Sequence, residues 1–153
     1  MIGPLRKVLD SVVALLRQGT SPEEIARATA MAVVLALFPV LGSTTLLCAG
    51  AAAWFRLNLP LMQLVNFLLY PVQLALVIPF MSVGTRLFGL PVLPGLTQMV
   101  KLVATDPLGA IRVFWPATLS AIGTWLVLSP IVAVLIYAAI LFPLRRFSPQ
   151  VSS

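Results

Sequence analysis

The densest groups of side chains able to hold a ligand are Pro39-Val40-Leu41-Gly42-Ser43-Thr44-Thr45 and, 27 residues after Pro39, a run holding Asn66, Tyr70, Pro71 and Gln73, with Gln63 just before it. Pro39 lacks an N–H and disfavours helix at Phe38, so the helix entering the first segment is expected to end at about Leu37 and a second to start at Ser43. The first turn of that second helix offers unpaired N–H groups beside three hydroxyls, which predicts an anion site. The competing assignment is structural: Ser43 caps the helix and Thr44 and Thr45 bond back to carbonyls. The amides of the second segment either line a mid-membrane site, as paired breaks do in transporters, or hold helices together by hydrogen bonds. Arg56, with Asn58 two residues on, and Arg86 close the two apolar stretches. They either snorkel to lipid phosphate or, facing one cavity, form a phosphate-binding pair. The candidate binding residues are therefore Pro39, Gly42, Ser43, Thr44, Thr45, Arg56, Asn58, Asn66, Pro71, Gln73 and Arg86.

Other chemistry has little to draw on. The chain has no histidine, one cysteine (Cys48) and four carboxylates, Asp10, Glu23, Glu24 and Asp106. Zinc sites and disulfide frameworks need more ligands than this. A serine without a nearby base is a poor nucleophile, and helix starts and amphipathic faces account for the acids. The expectation is a protein that is not an enzyme, with no catalytic residue, metal or cofactor. No carboxylate falls inside a long apolar run, so a proton relay of the usual kind is not expected either.

The positioning elements follow from composition. In 153 residues, 60% are hydrophobic and only 9% charged, with a mean hydropathy of +1.07. Soluble chains carry about 25% charged residues, so this one reads as a membrane protein. Its net charge of +6 comes from ten basic residues, eight of them arginine, set beside the apolar runs rather than in one patch. Anionic lipid headgroups are the expected partners, at about 1 kcal/mol per juxtamembrane Lys or Arg, and nucleic acid is not.

Charges frame three uncharged stretches, 28–55, 57–85 and 113–144, of 28, 29 and 32 residues. Each suffices to cross a bilayer once, at about 20 residues per span, or to enter and turn back. The first is interrupted at Phe38 to Gly42, the second between Asn66 and Pro71 and again at Pro79, and the third at Pro130. Two hairpins keep Arg27, Arg56 and Arg86 on one face, which the positive-inside rule favours over single spans. Small residues Ala26, Ala30, Ala49, Gly50 and Ala53 are expected to pack the first pair.

The predicted fold is an all-α integral membrane protein forming one domain over 1–147. It begins with an interfacial amphipathic helix (1–20) whose face is Leu5, Val8, Leu9, Val12, Val13 and Leu16. Two broken or re-entrant helical pairs follow, 21–57 and 58–88, the first opened by a capping box at Ser21-Pro22-Glu23-Glu24. Residues 89–115 are expected as loop and interfacial helices, with Asp106-Pro107 as a cap and Trp115 near the headgroups. Residues 116–146 are expected as a transmembrane helix kinked at Pro130, and 148–153 as a disordered tail.

Gly19-Thr20-Ser21-Pro22-Glu23-Glu24-Ile25-Ala26, the Pro39 to Thr44 break, Arg56-Leu57-Asn58, and Asn66 through Pro71-Val72-Gln73-Leu74 to Pro79-Phe80 and Gly84 appear in the same order in a known family. Over about residues 15–140 the chain resembles domain of unknown function 2062, a family of small bacterial membrane proteins. In the commoner form of that family an Asn directly precedes the second Pro, whereas here four residues separate Asn66 from Pro71. The resemblance implies a multi-pass protein of the bacterial inner membrane with no assigned activity. With the N-terminal helix on the cytoplasmic face, two functions are expected in competition. One is binding or translocation of a phosphate-bearing lipid or lipid-linked carrier through the paired broken helices. The other is a non-transporting adaptor or assembly factor that recruits a partner protein. Self-association into a homo-oligomer fits both.

Overall fold

The computed structural model of the chain describes residues 21–147; the expected N-terminal amphipathic helix and the C-terminal tail lie outside them. Among the described residues five helices follow one another: α1 (Pro22–Ala36), α2 (Thr44–Phe55), α3 (Leu59–Leu87), α4 (Leu96–Thr105) and α5 (Pro107–Phe147).

Local chemistry sets their ends. Ser21 Oγ accepts from the Glu24 N–H at 3.2 Å, and a Glu24 carboxylate oxygen accepts from the Ser21 N–H at 3.2 Å, completing the expected capping box. At the far end of α1, the Leu37 and Phe38 N–H groups turn back to the carbonyls of Val33 and Leu35, and Pro39 stops the helix. Asn58 caps α3 by accepting from the Leu61 N–H at 3.0 Å. Asp106 does the same for α5, accepting from Gly109 N–H at 2.9 Å, with Pro107 in the first helical position as expected.

The second predicted hairpin does not form. Residues 59–87 are one helix that runs through both Pro71 and Pro79. A proline removes one hydrogen bond and bends a helix, but reversal also needs a backbone that can turn. Among the described residues the positive φ angles are at Gly42 (82°), Arg56 (53°) and Gly89 (64°), each between helices, and none lies within α3. The C-terminal helix is also longer than expected: it starts at Pro107 rather than near 116 and continues through Pro116, Pro130 and Pro143. Only α4 remains of the interfacial helices expected in 89–115, and none of its residues is buried.

Packing inverts the pattern of a soluble protein. Along α1, Ala26, Ala28, Ala30, Ala32, Val34 and Ala36 are buried. Burial at every second position means that the helix is covered on several sides, and it touches α2, α3 and α5. The other buried residues include Cys48, Ala52, Met62, Ala117 and Ala121 together with polar Thr44, Asn66, Gln73, Thr85, Ser120 and Thr124. Large apolar side chains face outward instead, among them Phe67, Leu68, Val72 and Ile78 on α3 and Val127, Ile131, Val134 and Phe142 on α5. Both α3 and α5 are long and apolar enough to cross a membrane. Of the small residues assigned to the first pair, Ala26 and Ala30 are buried, whereas Gly50 and Ala53 lie on the outer face of α2.

The helices are arranged by a few close contacts. Gly84 of α3 abuts the Ser120 backbone of α5, so that a Cβ there would stand 2.6 Å from the Ser120 carbonyl carbon. The Trp125 ring on α5 donates Nε1–H to the Val34 carbonyl at 3.0 Å and meets Phe38 edge to face at 4.9 Å. Because Glu23 pairs with Arg145 and Val34 with Trp125, α1 and α5 run antiparallel.

Candidate functional site

Two places in this bundle collect the candidate residues. The first is the turn between α1 and α2, residues 37–43, which lies against the middle of α3. Gln73 Nε2 donates to the Phe38 carbonyl at 2.9 Å. Gln63 Nε2 donates to the Thr45 carbonyl at 3.0 Å and Asn66 Nδ2 to the Thr45 hydroxyl at 3.3 Å. The hairpin therefore turns partway along α3. With 15 and 12 residues, α1 and α2 span roughly 22 and 18 Å at 1.5 Å per residue, against about 43 Å for α3.

Pro39 is buried in the turn, while Gly42 is exposed with φ 82°, which an L side chain adopts only with strain. Ser43 does not cap α2: its hydroxyl donates to the Val40 carbonyl at 2.8 Å. The Thr44 side chain is buried. Thr45 is exposed and receives the two α3 amides rather than bonding back along its own helix. Gln63, Asn66 and Gln73 fall on one helical face as interhelical donors. Their oxygens are left over: Gln63 Oε1, Asn66 Oδ1 and Gln73 Oε1 are buried without a partner among the described residues. Pro71 lies outward on the exposed side of α3.

Arg56 and Arg86 do not share a cavity, because they stand at opposite ends of the 29-residue α3. Arg56 is the left-handed residue that ends α2, and Arg86 lies in the last turn of α3; both are exposed. Asn58 is occupied as the cap of α3. A phosphate site built from the two arginines is thus corrected by the continuity of α3.

The second place was not foreseen. At the Arg56 end, Arg27, Ala30 and Met31 of α1, Phe55 and Leu57 around the end of α2, and Ala133, Val134 and Tyr137 of α5 line a groove of about 390 Å³. Arg27 and Tyr137 are the polar residues of an otherwise apolar lining. Sequence offered faint signals, namely Arg27 one turn before Met31 and Tyr137 as the lone hydroxyl-bearing ring in a 14-residue apolar run, 131–144. Neither points to the other without the fold.

Basic residues gather at this end, where Arg27, Arg56, Arg145 and Arg146 lie, against Arg86, Lys101 and Arg112 toward the other. Glu23 holds its proton less tightly than an ordinary carboxylate. Its own backbone N–H at the helix start is the larger cause and the hydrogen bond from Arg145 the next. Among the described residues, no three of His, Cys, Asp and Glu converge as metal ligands would.

A family model described as "Uncharacterized protein conserved in bacteria (DUF2062)" matches residues 5–150. No curated protein and no solved structure matches the chain.

Proposed function

This chain belongs to that bacterial family, and from this premise we propose that it is an inner-membrane protein that binds a phosphate-bearing lipid in the Arg27 groove. In this reading α3 and α5 span the bilayer and α1 and α2 form a re-entrant hairpin, each too short alone for a hydrocarbon core of about 30 Å. The four arginines at the Arg56 end, against two arginines and a lysine at the other, support a cytoplasmic Arg56 end under the positive-inside rule, with α4 on the opposite surface in this reading.

The observation that carries the proposal is the groove itself. Apolar walls suit an acyl or prenyl chain, and Arg27, the one charged residue of the lining, suits a phosphate, which Arg binds through a planar pair of donors. Arg56 adjoins the lining residues Phe55 and Leu57 and supplies a second cation near the same end. Translocation belongs to this proposal in one form only: the lipid moves along the α1–α2 hairpin, because the second broken pair is absent. Self-association belongs to it as well, through the exposed small face of α2 at Gly50 and Ala53.

The test is mass spectrometry of lipids retained by the protein after purification in a mild detergent. Enrichment of an anionic phospholipid or polyprenyl phosphate over the bulk membrane, reduced several-fold in Arg27→Ala, is expected. A retained lipid profile equal to the bulk membrane, or one unchanged in Arg27→Ala, overturns the reading.

A further inference from the structure

We propose that the lipid site runs on from the Arg27 groove, past Tyr137, into a second groove, and that the two together take a lipid diphosphate. The second groove, of about 540 Å³, is lined by Tyr137, Ala138, Leu141, Phe142, Arg145 and Arg146. Tyr137 lines both grooves and joins them. On α5, Val134, Tyr137, Ala138, Leu141 and Arg145 fall at i, i+3, i+4, i+7 and i+11, which is one face of a helix. From Ala133 to Arg146 that face extends roughly 20 Å at 1.5 Å per residue. It is apolar along its length and basic at its end.

The arginines of the two grooves stand close together. Arg145 holds the Glu23 carboxylate at 3.0 Å, and Glu23 lies four residues before Arg27 on α1. Side chains four apart on a helix are neighbours, with Cβ atoms about 5–6 Å apart. Arg27 of the first groove is therefore one turn of α1 from the acid that Arg145 of the second groove holds.

Charge and spacing select the head group. Glu23 offsets Arg145, and Glu24 is engaged by the Ser21 N–H in the capping box. Arg27 and Arg146 pair with no acid among the described residues. These two guanidinium forks sit on different helices, one in each groove, and Arg146 lies nine residues beyond Tyr137, about 13 Å along α5. A single phosphate fills one seat and leaves the other to water. Two linked phosphates offer acceptor oxygens to both forks, and Arg binds such oxygens in bidentate fashion. The Tyr137 hydroxyl, between the grooves, can donate to either phosphate. The chain of the lipid then lies against the apolar lining of both grooves.

This proposal rests on the reading of the Arg27 groove as a lipid site, and its test separates the two. Thermal unfolding of the purified protein in a nonionic detergent, without divalent cations and at constant pH and ionic strength, is followed against farnesyl monophosphate, farnesyl diphosphate and inorganic diphosphate. Both farnesyl compounds should raise the midpoint saturably, as ligands of the folded state do. The diphosphate should half-saturate at a concentration about tenfold lower, the worth of one further charge-assisted hydrogen bond. Inorganic diphosphate, without a chain for the apolar walls, should be the weakest of the three. Arg146→Ala, at an exposed position, should bring the two farnesyl compounds together, whereas Lys101→Ala on α4 should leave their ratio as in wild type. Equal half-saturation by the two compounds in wild type overturns the diphosphate and leaves the lipid reading standing. An unchanged ratio in Arg146→Ala, or inorganic diphosphate as effective as farnesyl diphosphate, also overturns it. No rise with either farnesyl compound overturns both readings.

Discussion

Arg145, in the last turn of α5, donates from Nε to a Glu23 carboxylate oxygen at 3.0 Å, joining residues 122 positions apart in sequence. The contact joins the basic end of α5 to the first turn of α1. Both side chains are well exposed, at 62% and 39%, so solvent and salt screen the attraction.

A pH dependence follows from Glu23. Its folded pKa lies below the ordinary value of 4.5, so its contribution to stability is complete above that value. The contribution is lost as pH falls through the lowered folded value. Unfolding midpoints of wild type and Glu23→Gln should therefore differ by a constant amount near neutrality and converge in acid. A gap that is unchanged at the lowest pH would contradict the assignment.

Gly84 permits the closest approach of α3 and α5. Any Cβ there meets the Ser120 backbone, not the movable end of a side chain, so the two helices must separate to accept it. Overpacking of this kind costs about 1–3 kcal/mol. Gly84→Ala should lower the thermal midpoint, and Gly84→Leu more so. Gly50→Ala, inside α2 with open space around its Cβ, is the matched control and should not lower the midpoint, since a helical Gly→Ala change without a clash stabilises slightly.

Trp125→Phe tests the link between α1 and α5. The ring contact with Phe38 survives this change, but the Val34 carbonyl, on a residue that is 7% exposed, loses its donor. Leaving a buried acceptor unpaired costs about 1–3 kcal/mol. The expected result is a destabilised protein whose circular dichroism still reports full helix content. A variant as stable as wild type would show that Val34 finds another partner.

What the sequence disclosed depends on the range of each signal. Ser21 with Glu24, and Asp106 with Pro107, act within one turn, and both helix starts stand where their caps put them. The first break was legible because Pro39 is followed by Gly42, which supplies the positive φ that a reversal needs. Pro71 and Pro79 looked equivalent, yet no residue near them takes up such a turn, and the helix continues. The amides at 63, 66 and 73 were recognised as a group, but their spacing marks one face of an unbroken helix rather than a gap in it. Nothing local announces the groove, because Arg27, Phe55 and Tyr137 meet only through three helices.

The continuity of α3 makes the topology decidable with single cysteines on a Cys48→Ala background, since Cys48 is the chain's one thiol. Asn58 precedes α3 and Gly89 follows it, so if α3 spans the membrane a membrane-impermeant maleimide should reach cysteines at these two positions from opposite sides. The hairpin gives a sharper outcome. If α1 and α2 enter and leave on one side, a cysteine at Ser21 labels from the same side as one at Asn58, and neither labels from the side that reaches Gly89. If α1 and α2 instead stack as one broken span, Ser21 and Asn58 label from opposite sides. The Phe38 contact to Gln73 and the Thr45 contacts to Gln63 and Asn66 place the turn beside the middle of α3, which favours the first outcome. A cysteine at Gly42, at the tip of that turn, should then label poorly from either side until the membrane is dissolved. Ready labelling of Gly42 from the Gly89 side would rule out a hairpin that stops within the bilayer.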